Sequence, residues 1–446
     1  MKFKKNFNIL DFKDKRKLLF LSFLMALNPI AELFSLALII PIIGLVVGKS
    51  TNFLGLDKHI ENLGIADDKL FLIIVFLFLI LQLLKLIFLL FYKWYEIKFV
   101  YDLKGKVSSN LWKKYLYQNY IFFFKKNSSK LLRNITYSVD CSAIYLFCFL
   151  QFILDLLVGS TIIIFLFLYE PFVTSITLFI FIIFSSIYLF SLKGKLNAYG
   201  ETRRVHAAQR LKFFQESIEN IKFIKFSNQE DFFFKKFKEH NLKNFDISFK
   251  ADFLKSIPRP LLELAGICVT VTILVYLKEL TTTTSENLFE ILGLYVFAFL
   301  RLLPCFSRML SNFQSMKLNY PEIHNLYNES NIKIYKNDKF EGNLSFNNLI
   351  EIKIKKFVYE NNKKFELDNI DIKFERKEKI AIFGASGSGK STFLDLFTGI
   401  LKPTEGDILV DSKSIYQNLK GWQNLIGYVP QKVTVMDDSL RNNISL

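Results

Sequence analysis

Phosphate chemistry is concentrated in one segment, IAIFGASGSGKSTFLDLFTGI, from Ile380 to Ile400. Gly384, Gly389, Lys390 and Ser391 satisfy the spacing G-x-x-x-x-G-K-[ST]. Glycines let the backbone wrap closely, so that successive N–H groups and a helix N-terminus face phosphate oxygens. On that geometry Gly384, Ser386, Gly387, Ser388, Gly389, Lys390, Ser391 and Thr392 form the expected nucleotide cradle. Lys390 supplies a point charge for the β- and γ-phosphates of ATP, and the hydroxyl of Ser391 suits Mg²⁺.

A second set of candidates lies inside apolar stretches. Charges there are costly and usually functional, which singles out Lys85, Arg259, Arg301 and Arg308. Counting about 1.5 Å per residue along inward-running spans puts Lys85 and Arg301 at one level, roughly 20–24 Å from the outer face. Arg308 follows Arg301 by two helical turns and shares its face, and Arg259 starts its span near the same level. Together they could ring a cavity with positive charge suited to an anionic headgroup, arginine being well shaped for phosphate. The bland alternative is snorkelling to the inner surface. Glu32, Asp155 and Glu263 are carboxylates in the same spans and could pair with these cations.

The elements that must position both sets differ in kind. The chain has 446 residues, 51% hydrophobic, with 50 Phe. Stretches of about 20 apolar residues cross a bilayer as helix. Six are found, at roughly 18–47, 69–92, 143–169, 171–192, 259–278 and 287–310. The third and fourth are joined by a tight YEPF turn. The basic N-terminus precedes an apolar run too long for a cleaved leader, and so reads as a first membrane helix. Lys and Arg crowd the N-terminal tail and the segments 93–133 and 193–255, whereas 48–68 and 279–286 carry almost none. The positive-inside rule then places the N-terminus and the C-terminal region in the cytoplasm of a multi-pass protein of the inner membrane. That distribution accounts for much of the net charge of +17 without nucleic acid.

Both basic loops read as helical continuations of the spans, with contact turns near Asn119–Lys130 and Phe226–Phe234. The outer stretch FLGLDKHIENLGI reads as a short amphipathic helix. Cys141, Cys148, Cys268 and Cys305 have no paired spacing and suggest neither a disulfide framework nor a zinc site. A polar connector, 326–350, separates the membrane domain, 1–325, from a second domain at 351–446. There EIKIKKFVYE, LDNIDIKF and EKIAIFG read as strands, the last feeding the phosphate loop, and KSTFLDLFTGI as a helix. The expected fold is thus an α-helical six-span membrane domain followed by a partial α/β P-loop domain.

In this order of parts the chain resembles the exporter-type ATP-binding cassette (ABC) half-transporters, which work as homodimers or heterodimers. The resemblance implies that Tyr359, in KFVYE, stacks on adenine, and that Gln431, in IGYVPQ, is the Q-loop glutamine that positions Mg²⁺ and the attacking water. It also implies a departure. The family's LSGGQ signature, the carboxylates after its next strand and its switch histidine have no counterpart in these 446 residues, which end at DDSLRNNISL. The chain is therefore expected to be truncated within its nucleotide domain, to bind ATP weakly or not at all, and to be unable to hydrolyse it unless a partner supplies the rest. Alternatives are a non-catalytic subunit that pairs with a complete half-transporter, and an interrupted gene. Within the family the segments IAELFSLALIIPIIGLV, SIPRPLLELAGI, VFAFLRLLPCFSRML and NIKFIKFSNQEDFFF are similar to the flippases of bacterial protein N-glycosylation. That similarity implies a polyprenyl-pyrophosphate-linked oligosaccharide as cargo. It matches Arg259, Arg301 and Arg308 to cavity arginines and sets Lys85 where those proteins have arginine.

Overall fold

A computed structural model describes residues 12–47, 67–192, 194–280, 285–334, 344–359, 362–431 and 435–445. The chain forms two compact units, one of residues 1–113 and 129–332, the other of 114–128 and 333–446.

The first unit is helical. Helix α1, Phe12–Ala37, contains Pro29 and is followed after one residue by α2, Ile39–Val47. Helix α3, Asp67–Leu116, runs for 50 residues. At 1.5 Å per residue it is about 75 Å long, more than twice the hydrocarbon thickness of a bilayer. Helix α5, Ser128–Arg133, passes through a π-helical turn, Asn134–Ser138, into α6, Val139–Tyr169. Glu170 alone separates α6 from α7, Pro171–Ser191, whose first residue is the proline a helix start tolerates. Helices α8 (Lys195–Glu219), α9 (Ile221–Ser227) and α10 (Glu230–Ser256) follow, then α11 (Pro258–Leu280) and α12 (Ser285–Ser330).

Among the described residues six helices are long and apolar enough to cross a membrane, as the apolar runs predict. The two basic loops continue as helix, also as predicted. The stretch FLGLDKHIENLGI lies outside the described residues. Along α3 the apolar residues Leu72, Phe76, Leu83 and Leu90 point outward, the pattern of a surface solvated by lipid tails.

Polar side chains tie the helices together inside this apolar packing. The Tyr188 hydroxyl donates to the Leu254 carbonyl at 2.5 Å and accepts from Gln314. Arg133 pairs with Glu322 at 3.1 Å beside the π turn, and the Ser138 hydroxyl donates to the other Glu322 oxygen at 2.6 Å. Where α8 crosses α12, a Cβ on Gly200 would stand 2.4 Å from the Leu318 carbonyl, so only glycine permits that approach.

The second unit carries helix α4, Tyr120–Lys125, and a four-stranded antiparallel sheet in the order β2-β1-β3-β4. The strands are β1, Leu349–Tyr359, β2, Asn362–Glu375, β3, Glu405–Val410, and β4, Lys413–Ser414. Ile350, Ile352 and Ile354 alternate along β1 and are buried, the period-2 signature of a half-buried strand. Between β3 and β4 the two-residue turn Asp411–Ser412 has positive φ at both positions, 46° and 68°, as a type I′ hairpin requires. Helix α13, Lys390–Phe397, packs Phe393 and Leu396 onto the sheet. Trp422 of α14, Leu419–Gln423, donates its indole N–H to the Phe397 carbonyl at 2.8 Å.

The strand expected at EKIAIFG is not formed, and the apolar stretch before Gln431 forms none either. Residues 378–385, within EKIAIFG and the start of the loop, and residues 426–430 of IGYVPQ are irregular, with Phe383 90% and Val429 88% exposed. Alternating apolar residues make a strand only when a neighbour completes its ladder, and among the described residues no strand lies beside either segment.

Candidate functional site

The phosphate-binding pattern folds as a loop closing on a helix. Gly387 and Gly389 hold φ of +83° and +94°, a region other residues reach only with strain. A Cβ on Gly384 would meet the Ser388 hydroxyl at 2.7 Å. Gly389 caps α13, and the Phe393 N–H bonds its carbonyl at 2.8 Å, so the helix begins directly out of the loop. Lys390 folds its ammonium back across the loop, donating to the carbonyls of Gly384 at 2.7 Å and Ala385 at 2.8 Å. Ser386, Gly387, Ser388 and Ser391 are exposed and Thr392 is half-buried. Open backbone donors, a helix N-terminus and one ammonium at the loop's centre fit a polyphosphate. Ser391, the residue after Lys390 on α13, carries an exposed hydroxyl of a kind that suits Mg²⁺, an ion that keeps several waters and takes its remaining ligands from phosphates.

Tyr359 stands beside this loop at the end of β1. Its hydroxyl lies 3.3 Å from that of Thr392, on α13. Its ring meets Phe357 edge-on at 4.9 Å between centroids, and Phe124 of α4 at 6.1 Å. Phe124 was legible only as part of the aromatic turn NYIFFFKK; nothing in the spacing tied it to Tyr359. Asn119 caps α4 by accepting from the Phe122 N–H, Ile121 packs on the sheet's core, and Gln118 donates to the Lys333 carbonyl at 2.6 Å. Gln431 is exposed and among the described residues bonds no member of the loop.

In the first unit the charged candidates are largely drawn together. Lys85 on α3 and Glu32 on α1 form an ion pair at 2.6 Å. Arg308 on α12 grips Asp155 on α6 through Nη2 at 2.7 Å and Nε at 3.0 Å. Arg301, two turns before it, is within electrostatic reach of Lys85, and its guanidinium lies 5.4 Å from the Phe297 ring centroid. Cys305 sits among Glu32, Asp155, Arg301 and Arg308 and is buried. Three cations and two carboxylates thus share one region. Arg259 stands apart: it pairs with Glu263 one turn on, at 3.1 Å, and its side chain is 75% exposed. All three carboxylates singled out in the spans pair with candidate cations. No spacing signal marks a neighbouring cluster in which Glu96, fully buried on α3, accepts from Gln151 and from Lys93. Glu96 falls where α3 turns basic, among charges that read as a solvated extension.

Comparison with known proteins fits this division. Residues 18–301 match the model of the ABC transporter transmembrane region, and residues 367–444 that of the ABC transporter. An ATP-dependent lipid A-core flippase of Shewanella oneidensis is 37% identical over 119 residues, covering 26% of this chain and 19% of that protein. The glutathione/L-cysteine transport system ATP-binding/permease protein CydC of Bacillus subtilis is 43% identical over 79 residues, covering 18% and 14%. A multidrug resistance-like ATP-binding protein MdlA of Buchnera aphidicola is 27% identical over 240 residues, covering 52% and 40%. The matched stretches thus span less than half the length of these relatives. With six membrane-length helices, a transmembrane match over most of the chain and a phosphate loop beyond it, the chain belongs to the ABC transporter family, in the arrangement of an exporter-type half-transporter.

Proposed function

We propose that the chain is one half of an ATP-driven exporter or flippase for an anionic lipid, most specifically a polyprenyl-pyrophosphate-linked oligosaccharide. The observation that carries this reading is the surplus of positive charge where Lys85, Arg301 and Arg308 meet Glu32 and Asp155. Charge held in a membrane bundle at such cost suits a negatively charged cargo. The relative named as a lipid A-core flippase supports lipid movement. Lys85 keeps the charge of an arginine but not its bidentate fork, so Arg301 and Arg308 carry the phosphate contacts.

ATP, with Mg²⁺, supplies the energy by phosphoryl transfer. Lys390 and the loop amides hold its phosphates, Ser391 meets the ion, Tyr359 stacks on the base, and Gln431 orients water once the site assembles. The partner is a second ABC half-transporter, and the nucleotide domain lies on the cytoplasmic side of the inner membrane. Turnover depends on that partner, because positioning and charge stabilisation across the assembled site are what a protein contributes to this reaction.

Two measurements test this. Lys390→Ala should weaken ATP binding by about 10–100-fold, the worth of a charge-assisted contact, while steady-state ATPase of the unpaired chain stays at background. Turnover by the purified chain alone would refute its dependence on a partner. In proteoliposomes where the chain is paired with a half-transporter that contributes the signature sequence, Arg301→Ala with Arg308→Ala should abolish flipping of a pyrophosphate-linked glycolipid and spare basal ATPase. Undiminished flipping would remove the charged cluster from the cargo path.

A further inference from the structure

Helices α8 and α10 of the first unit are joined through α9 and pack side by side. One polar contact between them brings together two groups of the same kind. Nδ1 of His206 on α8 lies 2.9 Å from Nδ1 of His240 on α10, with ring centroids 5.2 Å apart. Phe213, two turns after His206, stacks on His240 at 5.5 Å and 14°. Arg210, between them on the same face of α8, donates to Asn241 at 3.3 Å and lies 5.7 Å from the Phe245 ring centroid. Both histidines are half-buried, so protons from solvent reach them.

Two ring nitrogens at this distance have room for one hydrogen between them, so one ring donates from Nδ1 and the other accepts. A first added proton goes to the outer Nε2 of the donor ring and leaves the bond in place. A second has to go to the accepting Nδ1, which turns the bond into two facing N–H groups on two cations. The surroundings resist that second proton. Arg203 and Arg210 flank His206 at i−3 and i+4, and Lys236 and Lys243 flank His240 at i−4 and i+3. Glu239 opposes them but is paired with Lys243 at 2.8 Å. Helix α12 packs on both arms and presents Asn319 to Arg203 at 2.9 Å, and its Glu322 is held by Arg133 of α5. The same cations disfavour a divalent metal on the two nitrogens. Burial first, then the facing His206, then Lys243 and Lys236 hold the His240 imidazole below its ordinary 6.5, against Glu239. The neutral ring that folding favours contributes stability above 6.5 and loses it as the pH falls through the lowered value.

We propose that His206 and His240 form a pH-sensitive clasp, which holds α8 against α10 while one hydrogen lies between their Nδ1 atoms and lets go when acid protonates both rings. The clasp needs neither ATP nor cargo to operate. What it regulates rests on the transport reading: the contact turn expected near Phe226–Phe234 lies between these arms, so loosened arms slow the assembled transporter as the cytoplasm acidifies.

The test uses the full chain in phosphatidylcholine nanodiscs and amide exchange at about pH 7.5 and about pH 5, either side of the histidine range and corrected for the intrinsic pH dependence of exchange. Peptides spanning His206 and His240 should lose protection about 10-fold in acid, the worth of one charge-assisted hydrogen bond, while those from α6 stay unchanged. His206→Gln with His240→Gln keeps a neutral donor and acceptor and should abolish the acid effect. His206→Lys with His240→Lys sets two fixed charges together and should show the loosened state already at about pH 7.5. Exchange of the ring C–H, followed for each of the 4 histidines, gives every titration midpoint, and that of His240 should fall below 6.5. Protection that acid leaves unchanged, an acid loss that survives in the first double variant, or midpoints of both rings at or above 6.5 overturns the clasp. If exchange behaves as expected while flipping ignores Arg301 and Arg308, the cargo reading fails and the clasp stands. Arms that acid does not loosen, with flipping still dependent on those arginines, give the reverse.

Discussion

Asp411 shows how much one half-buried side chain can organise. Its carboxylate accepts from three successive backbone N–H groups, Asn347 at 2.7 Å, Asn348 at 3.0 Å and Leu349 at 2.9 Å, and so fastens the β3–β4 turn to the start of β1. The Leu349 and Asn347 amides hold its pKa below the ordinary value of 3.8. A depressed carboxylate contributes stability above its unfolded pKa and loses it as the pH falls through the folded one. Asp411→Asn should therefore lower the thermal transition of the detergent-solubilised chain at neutral pH, and the gap from the parent should close as the pH falls below 3.8. A gap that persists at acid pH would mean the turn, not the charge, was perturbed. Nothing in the sequence pointed to this residue, because its partners are amides 62 to 64 positions away. The phosphate loop was legible because its requirement is local: two glycines at positive φ and a lysine just inside the helix lie within six residues.

Among elements, the helices and the strands were readable to different extents. A membrane helix satisfies its own hydrogen bonds, so twenty apolar residues are sufficient warrant for it, and all six spans are helical. A strand is a claim about a partner. The residues of EIKIKKFVYE found one on each side, in β2 and β3, and those of LDNIDIKF found one in β1. Residues 378–385 and 426–430, with equally good alternation, found none. Amide exchange should separate the two cases. Backbone groups paired in a core ladder open only with the unit, whereas exposed irregular backbone exchanges with little barrier. Mass spectrometry of the 446-residue chain should find peptides from 350–358 protected for hours and those from 379–385 and 426–430 exchanged within seconds. Protection of the latter pair would place a strand beside them. The same contrast bears on the pairing proposed above: the exposed Phe383, which adjoins the loop in sequence, and the exposed Val429 are apolar surface that an assembled site would cover.

At the scale of the whole molecule the orientation proposed above rests on where the basic residues lie along the chain. Of 58 Lys and Arg, those outside the second unit gather in the N-terminal tail and in the segments 93–133 and 193–255, and the turn between α6 and α7 is YEPF, with none. A bilayer reads that asymmetry during insertion, since basic loops are retained on the cytoplasmic side. The ion pairs inside the bundle do not change the balance, because Lys85 with Glu32 and Arg308 with Asp155 cancel one another. Phe172, half exposed just after that turn, should therefore face outward, and Lys222, at the start of α9, inward. With the four native cysteines replaced, a membrane-impermeant maleimide added to intact cells should label Phe172→Cys and leave Lys222→Cys untouched until the cells are opened. Labelling of Lys222→Cys in intact cells would invert the bundle. The phosphate loop would then lie on the side without ATP, and an ATP-driven role for this chain would have to be abandoned, whatever its cargo.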